Sequence, residues 1–173
     1  FVNDALWTYL SGGVNNEKVW IFDNGSYGFA AGEVTYADPS TTVEWNNWSA
    51  NWDPGVGHSG DDAIWESTMT FGLTGGANVT VYNSSSQSTA VGTFMLNVDD
   101  HTITFTDCEL LHTPSWSDRS TNWNRNLKLL ELDENHMRIG VMRDNSEGPW
   151  WLVWNFVSKE YADNYVPEDR PDP

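Results

Sequence analysis

Short runs of alternating apolar and polar residues, separated by turn-forming residues, restrict this chain more than any other feature. Each run has the period of two that a β-strand with one buried face requires. In TITFT, for example, Ile103 and Phe105 share one face and three threonines share the other. Helical periodicity is scarce, and only residues 6–10 could form a short helix or a lead-in strand. The predicted strands are residues 18–23, 63–71, 78–82, 93–98, 102–106, 127–132, 137–142 and 150–157.

Two connections between these runs have the composition of hairpin turns. Residues 99–100 are Asp-Asp and residues 133–135 are Asp-Glu-Asn, and Asp and Asn tolerate turn geometry. Eight or more short antiparallel strands at this length favour a two-sheet antiparallel β-sandwich of the jelly-roll type over a closed barrel. We therefore predict an all-β domain over residues 1–165, followed by an acidic, proline-rich C-terminal linker over residues 166–173.

The last predicted strand, WWLVWNFV, departs from simple alternation because both of its faces are apolar. Trp150, Leu152 and Trp154 lie on one face, whereas Trp151 and Val153 lie on the other. Such a strand is either central and covered on both sides, or it presents a ring on an exposed surface. We predict a covered strand, and keep Trp151 as a secondary candidate for ligand contact.

The charge balance excludes several classes of partner. The chain has 25 acidic and 8 basic residues, which give a net charge of -17. This charge repels nucleic-acid phosphates and anionic membrane surfaces. No apolar run reaches the roughly 18 residues of a membrane span. We therefore predict no binding to nucleic acid and no membrane insertion by this domain, whereas uncharged ligands or cations suit its field.

Tryptophan is unusually frequent, and five of the 11 tryptophans lie in two polar segments. EWNNWSANWDPG begins at Glu44, and SWSDRSTNWNRN begins at Ser115. A sugar stacks its C–H face on an aromatic ring and needs planar donors and acceptors for its hydroxyls. The two segments therefore predict two walls of a sugar site, although the rings could instead close the ends of the core. The predicted ligand-binding residues are Trp45, Trp48, Trp52, Trp116, Trp123, Asp118, Arg119 and Asn122.

Catalysis by a pair of carboxylates is the first alternative to simple binding. A glycoside hydrolase or lyase of jelly-roll fold would need two carboxylates in a cleft, roughly 5 to 9 Å apart in a hydrolase. Glu44 and Glu66 are the candidates for such a pair. A second alternative is a protein-interaction or adhesin domain, in which the rings would form a flat, contiguous patch. We assign no catalytic residue.

Acidic side chains in the segment HSGDDAIWE could hold a structural calcium ion. Asp61, Asp62 and Glu66 would supply the hard oxygen ligands that calcium prefers. A plain solvated acidic loop is the alternative. The four histidines have no ligand spacing and one cysteine cannot build a zinc site. We predict no other metal and no cofactor.

Both ends of the chain resemble a known family of domains. The opening LSGGVNNEKVWIFD resembles the start of a β-sandwich domain found in surface glycan-binding lipoproteins of gut Bacteroidetes. The segments LLELDENHMRIGVMRD and GPWWLVWNFVSKEYADNYVPEDRPDP are similar to the ending of that domain. The matching positions belong to the family's framework, so the resemblance implies a structural role for Lys18, Trp20, Asp23, Trp154, Asn155 and Phe156.

This resemblance implies a non-catalytic module that captures a polysaccharide or oligosaccharide. It also implies a location at the cell surface, on an outer-membrane lipoprotein of a polysaccharide-utilisation locus, of which this chain would be one part. The ligand contacts of such domains lie in variable loops, so no binding residue transfers from the family. The predicted site therefore depends on the tryptophan-rich loops alone.

Overall fold

The computed structural model describes residues 4–168, and their regular secondary structure is mostly β. Two short helices, α1 (Ala5–Ser11) and α2 (Lys159–Asn164), flank the strands, and a 3₁₀ helix spans Pro114–Arg119. The nine strands are β1 (Glu17–Phe22), β2 (Val34–Ala37), β3 (Thr68–Gly72), β4 (Asn78–Asn83), β5 (Ser88–Asn97), β6 (Thr102–Thr106), β7 (Leu127–Leu132), β8 (His136–Arg143) and β9 (Trp150–Ser158).

Eight of these strands close into an antiparallel barrel. Strands β3 to β9 each pair with the next, and β1 pairs with β3 on one side and with the end of β9 on the other. In the closing pair, Trp20 lies opposite Ser158 and Phe22 lies opposite Phe156. The predicted two-sheet jelly-roll sandwich is therefore wrong, because this sheet returns to its own first strand and has no second layer.

Strand β2 lies outside the ring and was missing from the predicted strands. It pairs with the first half of β9, with Val34 opposite Trp154 and Ala37 opposite Trp151. The nine residues of β9 thus pair with β8 along one edge and with both β2 and β1 along the other. The chain then leaves β2 as a long loop, residues 38–67, that crosses the outside of the barrel before β3.

The inside of the barrel is a packed core of large side chains. Trp20, Phe71, Phe105, Trp154 and Phe156 are each less than 2% exposed. An eight-stranded barrel is just wide enough for side chains to fill its interior. The interior therefore has no room for a ligand, and a binding surface would have to lie on the outside of the barrel or at its ends.

Helix α1 closes one end of the barrel. The side chain of Asp4 caps it by accepting a hydrogen bond from the Leu6 N–H, and Gly12 ends it with a left-handed φ of 83°. Trp7 and Leu10 are buried, and the Trp20 indole N–H donates to the Leu10 carbonyl at 2.9 Å. Residues 6–10 therefore form a helix and not a lead-in strand.

The prediction that the last strand is covered on both faces is confirmed. Trp154 faces the barrel interior, Val153 and Val157 face outward, and all three are fully buried. Residues 166–168 of the predicted linker follow α2 without regular structure, and residues 169–173 lie outside the described part of the chain. Between residues 4 and 168, neither helix has the length or apolarity needed to cross a bilayer.

Candidate ligand-binding surface

Five aromatic rings and two arginines meet at the end of the barrel that the loop of residues 107–126 closes. We call this set the loop-end cluster. Its members come from strands β2, β8 and β9, from the loop of residues 38–67 and from the 3₁₀ helix. Ring contacts of Tyr36, His58 and Trp116 connect them. The cluster consists of Tyr36, Trp52, His58, Trp116, Trp150, Arg119 and Arg143.

Hydrogen bonds to the backbone of β2 and to the side chain of Glu33 hold the two loop residues of the cluster, Trp52 and His58, in place. The Tyr36 N–H donates to the Trp52 carbonyl, and the Asn51 N–H donates to the Tyr36 carbonyl, each at 2.9 Å. His58 is placed by the buried carboxylate of Glu33, which accepts from the Gly57 N–H at 2.9 Å and from the Ser59 hydroxyl at 2.8 Å. Both loop positions are thus fixed to the barrel wall next to β2.

Among residues 4–168, Trp52 is the only tryptophan that is well exposed to solvent, at 51%. Its ring lies 4.8 Å from the Tyr36 ring at an interplanar angle of 31°, and the His58 ring meets it edge-on at 5.0 Å. Tyr36 itself is only 4% exposed. Trp52 is therefore backed by buried rings on one side, and much of its surface is open to solvent.

Two arginines flank these rings. The Arg119 guanidinium lies 3.8 Å above the Trp116 ring, and the Arg143 guanidinium lies 5.9 Å from the Tyr36 ring centre. Arg143 is also held by the Glu147 carboxylate at 3.1 Å and by the Gly148 carbonyl at 3.0 Å. A chain with only 8 basic residues thus places two of them against rings of this cluster, Arg119 on Trp116 and Arg143 near Tyr36.

The Tyr36 hydroxyl and the His58 ring form a polar pair inside the cluster. The Tyr36 hydroxyl and His58 Nε2 are 2.9 Å apart. Burial raises the pKa of Tyr36 from its ordinary value of 10.0. Burial, helped by the charge of Arg119, lowers the pKa of His58 below 6.5, although the Glu33 carboxylate opposes this shift. The cluster therefore offers aromatic surface and guanidinium groups to a ligand.

The five predicted loop tryptophans do not form the two facing walls of one site. Trp116 and Trp123 are 2% and 3% exposed and pack on Trp154 at the end of the barrel core. The expectation that these two rings face a ligand is therefore corrected, because the loop of residues 107–126 folds inward as a plug. In the same loop, the Trp123 indole N–H donates to the Ser117 carbonyl at 3.0 Å.

The three tryptophans of EWNNWSANW lie in three different places. Trp45 stacks on His101, with 4.4 Å between the ring centres. Trp48 lies on the outer face of the barrel, where its indole N–H donates to the Glu131 carboxylate at 3.2 Å. Trp52 alone reaches the loop-end cluster. The half-buried Trp151 packs with Trp48 on the outer face, and the Lys128 ammonium lies 5.0 Å from its ring.

Of the predicted polar contacts, only Arg119 belongs to the loop-end cluster. The Asn122 amide instead holds its own loop, because it donates to the Arg125 carbonyl at 2.7 Å and accepts from the Arg125 N–H at 2.8 Å. Asp118 is exposed on the 3₁₀ helix. Asn122 therefore stabilises its own loop. Asp118 makes no contact with the cluster.

The predicted carboxylates are dispersed. Glu44 pairs with Lys128 at 2.9 Å on the outer face of the barrel, and Glu66 is exposed in the segment before β3. One oxygen of Asp61 accepts from the Ala63 N–H at 3.1 Å. Within residues 4–168, no three His, Cys, Asp or Glu side chains are arranged to hold a metal ion. The structure gives no support to a calcium site at Asp61, Asp62 and Glu66, which stays a prediction.

Sequence reasoning missed Tyr36, His58, Trp150 and Arg143. Tyr36 lies in VTYA, a strand of only four residues between positions 23 and 63, where no strand is predicted. A signal was present, because three consecutive residues, Val34, Thr35 and Tyr36, have the β-branched and aromatic side chains typical of strands. His58 and Arg143 carry no local signal, since their relation to Trp52 depends on how the barrel closes.

Comparison with known proteins gives no match, either to a protein-family model or to a curated protein sequence.

Proposed function

We propose that this domain is a non-catalytic carbohydrate-binding module whose ligand stacks on Trp52 at the loop-end cluster. The supporting observation is the half-exposed indole of Trp52, which packs on the Tyr36 ring in a cluster that also holds Arg119 and Arg143. An exposed aromatic face suits the C–H side of a pyranose, and nearby guanidinium groups suit its hydroxyls. The mouth of a β-barrel is also a common location for ligand sites.

The state of the nearby carboxylates favours binding over hydrolysis. Glu33 is 1% exposed and is used to hold the loop of residues 57–59. One oxygen of Asp53 accepts from the Gly55 N–H at 3.1 Å, and Glu147 pairs with Arg143. A hydrolase would need two carboxylates placed on either side of a glycosidic bond. The carboxylates around Trp52 are instead committed to loop structure or to arginine.

The barrel fold of this chain differs from the β-sandwich of the family that the chain ends resemble, so the fold lends no support to a shared function. The location on an outer-membrane lipoprotein at the cell surface depends on the resemblance of the two chain ends alone. It therefore stays a prediction that is separate from the binding function.

A retention screen tests the function. We expect at least one neutral or uronate-containing polysaccharide in an affinity-gel panel to slow the migration of the domain, with no reducing ends released on long incubation. Stacking on one ring plus a few polar contacts should give a Kd in the micromolar to millimolar range. Release of oligosaccharide would support the hydrolase alternative, and retention by no glycan beside capture by a protein partner would support an adhesin.

A further inference from the structure

A second pocket lies at the opposite end of strand β6 from the loop-end cluster. Its volume is about 570 Å³, within the range of small-molecule sites. The turn between β5 and β6, the beginning of β7 and residues 44–45 surround it. Its lining includes Glu44, Trp45, Asp99, Asp100, His101 and Lys128. We infer that this pocket is a second binding site, and that it takes a sugar ring bearing a protonated amine.

An aromatic pair forms one wall of this pocket. The rings of Trp45 and His101 are nearly parallel, at an angle of 8°. Trp45 is half-buried in a tight turn in which Glu44 and Asn47 exchange two backbone hydrogen bonds of 3.0 and 2.9 Å. The Asn46 N–H then fixes this turn to the Leu130 carbonyl of β7 at 2.9 Å. The wall is therefore rigid, and it offers the apolar surface on which a sugar ring can pack.

The backbone around the pocket is held in an uncommon conformation at three places. Asn46, His101 and Asn126 have left-handed φ angles of 52°, 53° and 47°. Residues other than glycine seldom adopt this region, although Asn and His do so more often than most. His101 holds this φ while its ring lies on Trp45. The neighbouring Thr102 and Asn126 add polar groups to the lining of the pocket.

The charge of the pocket selects the chemical class of the ligand. Lys128 is the one cation among its lining residues, and its ammonium is already bound by the Glu44 carboxylate at 2.9 Å and by the Val43 carbonyl at 2.8 Å. The exposed carboxylates of Asp99 and Asp100 have no cation of their own among the lining residues. Their field attracts an ammonium group and repels uronates and sulfates. A sugar with a free amine matches both the aromatic wall and this charge.

This second site does not depend on the proposed function at Trp52, and one experiment separates the two. The probes are the glucosamine tetrasaccharide and its N-acetylated counterpart, which share ring shape and differ in charge. Each is titrated into the wild-type chain, into Trp45→Ala, into Trp52→Ala and into the double variant Asp99→Asn with Asp100→Asn, which keeps side-chain shape. A tetralysine peptide serves as a cationic probe without sugar rings.

We expect the wild-type chain to bind the amine form at least tenfold more tightly than the N-acetylated form. The double Asn variant should lose that preference, Trp45→Ala should weaken both sugars, and Trp52→Ala should leave the affinity for the amine form unchanged. Equal binding of the two sugars, or no binding of either, would overturn the inference. Loss of binding in Trp52→Ala would place the sugar at the loop-end cluster, and equally tight tetralysine binding would identify a peptide amine as the ligand.

Discussion

Replacing Trp123 with alanine should lower the free energy of unfolding by about 3 to 5 kcal/mol, as large-to-small changes of core aromatics do. Trp123 is 3% exposed, stacks on His112 with ring centres 3.6 Å apart, and packs on Trp154 at 5.9 Å. Its removal would leave a cavity at the end of the barrel and an orphaned Ser117 carbonyl. Urea denaturation of the two proteins gives the difference directly.

Trp52→Ala is the matched control, since it removes the same side chain from an exposed position in another polar loop. We expect it to cost less than about 1 kcal/mol, because much of the ring is already in water. Equal stability losses in the two variants would contradict the assignment of Trp123 to the core and of Trp52 to the surface.

Acidification from about pH 6.5 to 4 should destabilise the barrel by about 3 kcal/mol through His112 alone. This side chain is 7% exposed, and burial lowers its pKa from 6.5 to about 4, although the hydrogen bond from its Nδ1–H to the Leu110 carbonyl opposes the shift. Below pH 6.5 the unfolded chain takes up a proton that the folded chain does not. Stability is therefore full above pH 6.5 and falls as the pH approaches 4.

The His112→Phe variant isolates this contribution, because phenylalanine keeps a ring on Trp123 but cannot titrate. We expect its free energy of unfolding, measured by urea titration at several pH values, to change less than that of the wild type between pH 6.5 and 4. Carboxylates titrate in both proteins and cancel in the comparison. Parallel curves for the two proteins would show that His112 is not the titrating group.

All strands but the four-residue β2 could be predicted from the sequence, whereas the closure of the sheet could not. Alternation places Ile103 and Phe105 on one buried face, and both are buried in the structure. A sandwich and a barrel both bury one face of each strand, so the same pattern fits either fold. The choice depends on the pairing of Trp20 with Ser158 and of Phe22 with Phe156, contacts between opposite ends of the chain that leave no local pattern.

The tryptophan-rich loops show the same limit at the level of single residues. Trp52 in SANWDPG and Trp123 in STNWNRN have similarly polar neighbours, yet one is 51% exposed and the other 3%. Trp123 is buried because its loop folds back over the open end of the barrel, where Trp154 and His112 provide a surface for its ring. Polar neighbours indicate an irregular backbone, but they do not indicate which side chains are exposed. The prediction that Trp116 and Trp123 face a ligand was therefore wrong.

Titration of a retained glycan into wild type, Trp52→Ala and Trp48→Ala tests the central claim most directly. Trp48 is a suitable control because it is half-buried on the outer face of the barrel, bonded to Glu131. Loss of the stacking ring in Trp52→Ala should cost about 1 to 2 kcal/mol, roughly a 5- to 30-fold rise in Kd, whereas Trp48→Ala should bind like wild type. Unchanged affinity in Trp52→Ala would contradict a glycan site at the loop-end cluster.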